Sequence, residues 1–264
     1  MEPISKSRIK QLRGLKSKKG RAEQGLYVAE GPLLIEEGFK EQAIPRYVVA
    51  SATALKVFSA KTEAVLDTCK QQHVEVLTAS DDEFGEAADT INSQGVLGVY
   101  STPHYELASL IDKPRLTLII LDNLRDPGNL GTIVRQAAAF DCTGILLLKG
   151  CVDPFNHKAV RSTMGGIFHV PVIPDLQAEE LMETLVNAGV WPYVTATRGT
   201  NAFTLSYPPK TAFIIGGESE GVQPFWQEND VIPLTIPQTS KVESLNAAVA
   251  ASIILAFRYQ ATVG

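Results

Sequence analysis

The feature that most constrains the fold is a series of short apolar runs separated by stretches of helical pattern. Residues 116–121 read LTLIIL, and similar runs follow at 145–148 and 212–215. A strand that is apolar at nearly every position is typical of a sheet covered on both faces. Helical patterns at 129–140, 158–164 and 179–188 alternate with these runs. The alternation predicts an α/β fold with a mainly parallel sheet and crossover connections.

The N-terminal part of the chain is predicted to be a separate, smaller α/β domain. Strand-like patterns at 46–50, 74–77 and 95–100 accompany a helical pattern at 53–70. The segment STPHYELASLIDKPR at 101–115 has two prolines and mixed polarity, and it is the best linker candidate. A length of 264 residues also suits two ordinary domains. We therefore predict one domain at 1–105 and a second at 106–264.

Cysteine usage and hydropathy exclude several classes of protein. The three cysteines, at 69, 142 and 151, are too few and too scattered for a disulfide framework or a zinc cluster, so we expect no metal. No apolar run approaches the roughly 20 residues that span a bilayer. The charged N-terminus lacks the apolar region of a signal peptide. We expect a cytoplasmic protein that does not associate with membranes.

Charge is distributed unevenly along the chain. The formal net charge is -5, yet residues 1–21 contain eight Lys and Arg side chains and one Glu, which gives this segment a charge of +7. Clustered cations neutralise phosphates and release counterions, so the segment suggests an anionic polymer as partner. A solvated N-terminal helix whose charges bind nothing explains the charge equally well.

Ligands of parallel sheets bind beyond the carboxyl ends of the strands, so the residues after each predicted strand are candidates for a site. The run at 116–121 is followed by the turn DPGN and by a helix in which Arg135 is surrounded by apolar residues. Asn129 can be the N-cap of this helix and Arg135 a surface cation. Alternatively, both side chains belong to a site.

The run at 212–215 is followed by GGESEG. Gly216 and Gly217 would let the backbone approach a ligand, and Glu218 follows in a tight loop. The spacing differs from the GxGxxG phosphate fingerprint, and carboxylates would repel a phosphate. An ordinary glycine turn with solvated acids is an equally good interpretation. The residues VTATRG at 194–199, at the end of another predicted strand, include small side chains that suit the floor of a ligand site. Alone, this pattern is weak evidence.

The segment SKVESLN precedes an apolar helix that is predicted to begin near Ser244. Ser240 and Glu243 match the S-x-x-E capping box, and Ser244 is a second candidate N-cap. Residues 247–257 are apolar on nearly every side, so this helix lies in the core or at a subunit interface. Capping does not require both Ser244 and Asn246, which must find hydrogen-bond partners in neighbouring loops or in a substrate.

Together these stretches resemble the SpoU/TrmH family of RNA 2'-O-ribose methyltransferases, of the SPOUT class. Three motifs occur in the family's order: DPGNLGTIVR at 126–135, IGGESEG at 215–221, and IP at 236–237 followed by SLNAAVA at 244–250. The resemblance covers 116–264, and KSKKG and YVAEGP near the N-terminus are similar to the substrate-binding domain often fused to such enzymes. Gln238, Ser240 and Ala247 stand where members often have Met, Gly and Val.

The resemblance implies a trefoil-knotted catalytic domain, a homodimer through that domain, and S-adenosylmethionine bound in the knot. A knot is a rare exception to the rule that chains avoid threading. The residues that the resemblance places against the cofactor are Gly216, Gly217, Ile236 and Leu245, with Thr195, Ala196 and Thr197 as a further wall. The basic residues expected to bind RNA are Arg13, Lys16, Lys18, Lys19 and Arg21 of the first domain.

The resemblance also assigns the reaction to five residues: Arg135, Asn129, Glu218, Ser244 and Asn246. Arg135 would engage the ribose hydroxyl and a phosphate, as the base or, because guanidinium stays protonated in proteins, as a stabiliser of the alkoxide. Asn129 would orient Arg135 or the ribose, and Glu218 would accept a hydrogen bond from either residue. Ser244 and Asn246 would organise the substrate end of the site.

The fused N-terminal domain favours ribosomal RNA, with 23S RNA first, over transfer RNA as the substrate. An RNA-binding protein of the same fold without catalysis is disfavoured by the intact candidate residues. A dinucleotide-dependent oxidoreductase is disfavoured because the glycine fingerprint is missing after the first strand.

Overall fold

The computed structural model describes residues 1–57, 59–88, 93–218, 220–229 and 231–263. The strands are β1 (Glu2–Pro3), β2 (Leu26–Glu30), β3 (Tyr47–Ser51), β4 (Glu75–Ala79), β5 (Val96–Ser101), β6 (Leu116–Asp122), β7 (Gly144–Leu148), β8 (Val172–Leu176), β9 (Trp191–Asn201), β10 (Lys210–Gly216) and β11 (Ile232–Thr235). The helices are α1 (Lys6–Gly14), α2 (Lys18–Gln24), α3 (Pro32–Lys40), α4 (Ala52–Val57), α5 (Ala60–Gln71), α6 (Asp81–Ala87), α7 (Leu107–Ile111), α8 (Pro127–Ala139), α9 (His157–Ser162), α10 (Ala178–Asn187), α11 (Phe225–Glu228) and α12 (Ala247–Val263). Within the described part of the chain, every helix is too short or too polar to span a bilayer.

Contacts along the chain group these elements into two compact units. The first unit is Met1–Pro103 with Phe155–Phe168, and the second is His104–Pro154 with His169–Gly264. The helix predicted at 158–164 is present as α9, but it packs against β2 of the first unit. An apolar face predicts that a helix is buried and does not specify which sheet covers it.

The second unit contains the parallel sheet, and this prediction is confirmed. The strand order is β11-β9-β10-β6-β7-β8, and every neighbouring pair is parallel. All residues of β6 are buried, because both faces of the sheet are covered. Leu118 and Ile120 belong to the same core cluster as Leu181 and Leu185 of α10. Helix α12 packs against α8 and β10.

The sheet of the first unit is mixed and is separate from the parallel sheet. Its order is β1-β4-β3-β5-β2, and β5 is antiparallel to both β2 and β3. The single helix predicted at 53–70 is two helices, α4 and α5, and residue 58 lies outside the described residues. Ser59 starts the second helix, because its hydroxyl accepts a hydrogen bond from Thr62 N at 3.2 Å.

The basic segment at 1–21 is folded into this unit. Helices α1 and α2 bury Leu12 and Leu15 completely, and β1 adds a strand beside β4. The segment 101–115, predicted as a linker, contains the end of β5 and helix α7. The basic charge therefore lies on structured helices.

A buried cation ties the last helix to the approach of β10. The guanidinium of Arg258 on α12 donates to Thr117 Oγ1 at 3.2 Å and to the carbonyl oxygens of Pro208 and Pro209 at 2.9 and 3.0 Å. Burial lowers the pKa of Arg258, with a further contribution from the positive charge of Arg115. Guanidinium has five donors, so carbonyl groups of the segment before β10 satisfy it without a carboxylate.

Candidate active site

A cavity of about 240 Å³ opens at the carboxyl ends of β9, β10 and β11. This is the edge of a parallel sheet at which ligand sites form. Every residue expected to contact the cofactor lines this cavity: Thr195, Ala196, Thr197, Gly216, Gly217, Ile236 and Leu245. Glu218 and Ser244 line it as well.

The loop after β10 is held by a carboxylate that was not anticipated from the sequence. Asp122, the last residue of β6, is fully buried, and its side chain accepts hydrogen bonds from Gln223 N, Gln223 Nε2 and Trp226 Nε1 at 2.7, 2.8 and 3.0 Å. Its carbonyl oxygen accepts from Gly217 N at 2.8 Å. A buried carboxylate requires such donors. The only sequence signal is an acid that ends an otherwise apolar strand. Asp122 therefore anchors the cavity loop at Gly217 and at Gln223.

The two glycines of this loop are required by contacts within the protein. A Cβ at Gly216 would lie 2.5 Å from the carbonyl carbon of Gly221, and one at Gly217 would lie 2.1 Å from Asn123 O. Both distances are far below van der Waals contact, and the obstructing atoms are backbone. The glycines let the loop fold back on itself and lie against the turn after β6, which brings the loop to the cavity.

A chain of hydrogen bonds joins the three motifs beside the cavity. Asn246 Nδ2 donates to Asn129 Oδ1 at 3.2 Å, and Asn129 Nδ2 donates to Glu218 Oε1. Asn246 Oδ1 accepts from the backbone N–H groups of Ala248 and Val249 at 2.9 and 3.2 Å. Because an ionised carboxylate can only accept, these partners fix which end of each amide is the donor.

The cap of the first helix beside the site differs from the candidate that the sequence offers. Helix α8 is capped by Asp126, whose Oδ2 accepts from Asn129 N at 2.7 Å, and Pro127 is its first helical residue. Asn129 lies inside the helix, so its side chain is free to take part in the network.

Helix α12 begins at Ala247, three residues later than predicted, and Asn246 bonds its first turn. Ser240 and Glu243 are both described and lie in a non-helical segment, so they form no capping box. Gln238 Nε2 instead donates to Glu243 O at 3.4 Å, which closes the loop beside the cavity. Ser244 is exposed in this loop.

Arg135 lies apart from the network. It is exposed on α8, and six residues of helix separate its side chain from that of Asn129 by about 120° around the axis. Arg135 is absent from the lining of the cavity of its own chain. Among the described residues, the side-chain partner of Glu218 is Asn129 and not Arg135. The structure therefore brings four of the five expected catalytic residues together and leaves the fifth elsewhere.

The five basic residues expected to bind RNA have different surroundings. Arg21 is buried, and its Nη1 donates to Leu15 O at 2.7 Å, so it stabilises the helix pair and presents little surface to a phosphate. Arg13 pairs with Glu86, and Lys16 Nζ donates to Ala88 O at 2.8 Å. Lys18 and Lys19 are exposed at the start of α2, and Lys19 Nζ lies 3.8 Å from Glu23 Oε1; their exposure makes them the best candidates.

The ionisable groups beside the cavity offer neither a thiolate nor a metal cluster in the described part of the chain. Burial raises the pKa of the Cys151 thiol to about 11, and its Sγ donates to Leu121 O at 3.2 Å. The thiol is therefore protonated at neutral pH and is a poor nucleophile. No group of three or more His, Cys, Asp or Glu side chains is arranged to hold a metal ion in that same part.

Comparisons with known proteins agree with this geometry. The 23S rRNA (guanosine(2553)-2'-O)-methyltransferase RlmP of Bacillus subtilis is 28% identical over 256 residues, which cover 97% of each protein. The mitochondrial rRNA methyltransferase 3 of Mus musculus is 29% identical over 91% of this chain and 69% of its own length. The AdoMet-bound rRNA methyltransferase of Sinorhizobium meliloti superimposes with a TM-score of 0.85 at 27% identity, over 100% of this chain and 98% of that one.

Two family models match separate parts of the sequence. The model of the MRM3-like substrate binding domain matches residues 6–98, and the model of the SpoU rRNA Methylase family matches residues 116–256. The second match includes the parallel sheet, the cavity and all three motifs. The chain belongs to the SpoU rRNA methylase family.

Proposed function

We propose that this protein transfers a methyl group from S-adenosylmethionine to the 2'-hydroxyl of a ribose in ribosomal RNA. The observation that carries the proposal is the hydrogen-bonded chain Glu218–Asn129–Asn246, which joins three family motifs beside a cavity at the sheet edge. The cavity combines small residues and backbone groups with the apolar side chains of Ile236 and Leu245, a lining that suits an adenosine-containing ligand. S-adenosylmethionine would supply an electrophilic methyl group there: the hydroxyl oxygen would take the methyl group, its proton would pass to water, and S-adenosylhomocysteine would leave.

The residues of the chain hold the acceptor hydroxyl and the charge that develops on it. Alignment of the reacting atoms supplies much of the acceleration in such displacements. Asn129 is fixed between Glu218 and Asn246, so its amide cannot rotate and can orient the ribose. Ser244 is exposed on the cavity wall and presents a hydroxyl to the same ligand. We assign to Arg135 the stabilisation of the alkoxide and of a neighbouring phosphate, because guanidinium stays protonated.

The position of Arg135 supports a homodimer in which each subunit completes the site of its partner. Arg135 is exposed on α8 and is absent from the lining of the cavity of its own chain, and α12 packs beside α8. Helix α12 presents a partly exposed apolar stripe, Val249, Ile253 and Phe257, and Phe257 stacks on Phe203 at 4.1 Å between ring centroids. Such a stripe suits a second copy of this chain, related by a two-fold axis. The trefoil knot implied by the resemblance stays a prediction.

The reaction is tested by incubating the protein with labelled S-adenosylmethionine and total RNA from a strain that lacks it. We expect label in ribose 2'-O-methyl groups of ribosomal RNA, and at least 100-fold less with Arg135→Ala, since guanidinium stabilises charge only in the transition state. Isothermal titration with S-adenosylmethionine is the control, because Arg135 is assigned to the alkoxide and the phosphate of the RNA and cofactor affinity should not change. Binding of RNA and cofactor without any methyl transfer would identify a catalytically silent RNA-binding protein. Label in transfer RNA would identify transfer RNA, and not ribosomal RNA, as the substrate.

A mixing experiment tests the shared site. Arg135→Ala and Asn246→Ala are each expected to be inactive as homodimers. Each mixed dimer contains one cavity with an intact Asn246 served by an intact Arg135 of the other subunit, so it has one working site of two. Random pairing makes about half of the co-refolded dimers mixed, so the activity of the mixture should return to about a quarter of wild type. If verified mixed dimers recover no activity, Arg135 and Asn246 act in the site of the same subunit.

A further inference from the structure

A second cavity lies in the first unit. It has a volume of about 120 Å³, and its walls include Glu30, Leu33, Leu34, Gln94, Arg161 and Met164. All of these residues belong to the first unit. The first four lie in the part of the chain matched by the substrate-binding model, whereas Arg161 and Met164 lie in the part matched by the methylase model. The cavity is thus built from both family regions.

The segment that supplies Arg161 and Met164 is firmly attached to the first unit. Phe155 packs against Tyr27 with ring centroids 4.9 Å apart, and Phe168 packs against Tyr100 at 5.1 Å. These aromatic pairs hold both ends of the segment on β2 and β5. A wall of the cavity is therefore rigid, although it comes from a distant part of the sequence.

Two large apolar side chains are exposed at this cavity. Leu33, on α3, is 42% exposed, and Met164, in the turn after α9, is 56% exposed. Met164 also has a φ of 51°, a left-handed conformation that residues with a side chain rarely adopt. Backbone strain of this kind is often found at binding sites, where the surrounding structure imposes it. The pair forms two apolar surfaces of the kind against which a flat ring can stack.

The polar groups at the cavity complement a nucleotide. Arg161 is exposed on the outer face of α9, and Lys158 is exposed one turn earlier on the same face. Glu30 and Gln94 lie in the walls and can bond the edge of a base. Proteins recognise single-stranded RNA with this combination: apolar or planar surfaces for a base, hydrogen-bonding groups for its edge, and cations for the phosphates.

We propose that this cavity receives one unstacked nucleotide of the substrate RNA, with the base against Leu33 and Met164 and a flanking phosphate on Arg161. The inference rests on the proposed function and extends it, because it gives α9 a part in RNA recognition. Residues from both the substrate-binding and the methylase regions of the sequence would then form the RNA-binding surface.

The test uses the full-length protein, labelled S-adenosylmethionine and total RNA from a strain that lacks the protein. Leu33→Gln and Met164→Asn remove the apolar surfaces, and Asn tolerates the left-handed backbone at position 164. Ile44→Gln is the matched control, because Ile44 is 46% exposed in the same unit and is absent from the lining of this cavity. We expect the KM for RNA to rise about fivefold or more in both variants, with the KM for S-adenosylmethionine unchanged and the control like wild type.

A second measurement separates this inference from the proposed function. Ultraviolet cross-linking of the wild-type protein to the same RNA, followed by mass spectrometry, should place cross-linked nucleotides on peptides that contain Leu33 or Met164. Cross-links at the cavity without methyl transfer would refute the proposed function and leave this inference standing. Cross-links confined to other peptides, with an unchanged KM for RNA in both variants, would overturn it. A defect seen only on ribosomal particles and not on naked RNA would also overturn it and point to a protein partner.

Discussion

At the scale of single residues, the candidate site depends on polar side chains whose hydrogen bonds are shared between motifs. The amide of Asn129 bonds a carboxylate on one side and another amide on the other, so its orientation is determined by Glu218 and Asn246. Asp122 is not part of the hydrogen-bonded series Glu218–Asn129–Asn246, but its side chain anchors the loop that contains Glu218. Loss of a buried acceptor leaves its donors unpaired, which costs more than the bond itself contributes.

Asp122→Asn should therefore weaken cofactor binding about tenfold. The substitution keeps the shape of the side chain but replaces one acceptor oxygen by an NH2 donor. At the Oδ1 position this donor faces Gln223 Nε2, and at the Oδ2 position it faces the donors Gln223 N and Trp226 Nε1. Unpaired buried donors cost about 1–3 kcal/mol, and the loop can recover part of this by moving away from the cavity. Isothermal titration with S-adenosylmethionine measures the Kd, and thermal unfolding measures the stability.

Thr211→Val is the matched control for Asp122→Asn. Thr211 is fully buried at the opposite end of the same sheet, where its hydroxyl donates to Pro208 O at 2.8 Å. It should lower the Tm and leave the Kd for the cofactor unchanged, since it is far along β10 from the cavity. An Asp122→Asn protein that loses stability but binds the cofactor normally would show that Asp122 does not position the loop.

At the scale of elements, the start of α12 serves both the fold and the site. Asn246 Oδ1 accepts from the first turn of the helix, while Asn246 Nδ2 donates to Asn129. These two bonds use opposite ends of one amide, so substitutions can separate them. Asp retains the acceptor and loses the donor, whereas Ala loses both.

Asn246→Asp should keep its stability and lose at least tenfold in methyl transfer. A carboxylate accepts from the N-terminal N–H groups and interacts favourably with the helix dipole, but it cannot donate to Asn129. Asn246→Ala should lose about 1 kcal/mol of stability as well as activity. Thermal unfolding and the methyl-transfer assay measure the two effects. Ser80→Ala removes the N-cap of α6 in the first unit and should affect stability alone. Normal activity of Asn246→Asp would show that the Asn246–Asn129 bond is dispensable.

The elements that could be predicted from the sequence are those specified by local pattern. The parallel strands β6, β7 and β10 appear as continuous apolar runs because both of their faces are buried. The S-x-x-E spacing places the start of α12 too early because the same spacing also occurs in loops, whereas in the structure Asn246 bonds the first turn of the helix. The docking of α9 on β2 was missed because helix amphipathicity does not identify the partner sheet. The residues lining the cavity followed from the family motifs and not from local pattern.

At the scale of the whole molecule, charge is divided between the two units. The first unit contains fifteen Lys and Arg against fourteen Asp and Glu, whereas the second contains nine against fifteen. An acidic unit does not attract a polyanion through its net charge. RNA capture must therefore depend on local clusters of cations, and in the first unit the exposed start of α2 is one of them.

Removal of residues 1–21 is expected to unfold the first unit and so cannot test this cluster. The deletion would take away β1 and the buried side chains of Ile9, Leu12 and Leu15.

Lys18→Gln combined with Lys19→Gln removes two exposed charges and leaves the core intact. If each lysine neutralises one phosphate, affinity for total ribosomal RNA falls and the slope of log K against log salt decreases by roughly 1.4. Filter binding at salt concentrations from roughly 50 to 200 mM measures the affinity and the slope. Lys61→Gln with Lys70→Gln, on α5 of the same unit, makes the same change in net charge at exposed sites. Equal slopes for the two double variants would mean that RNA responds to the net charge of the unit and not to the start of α2.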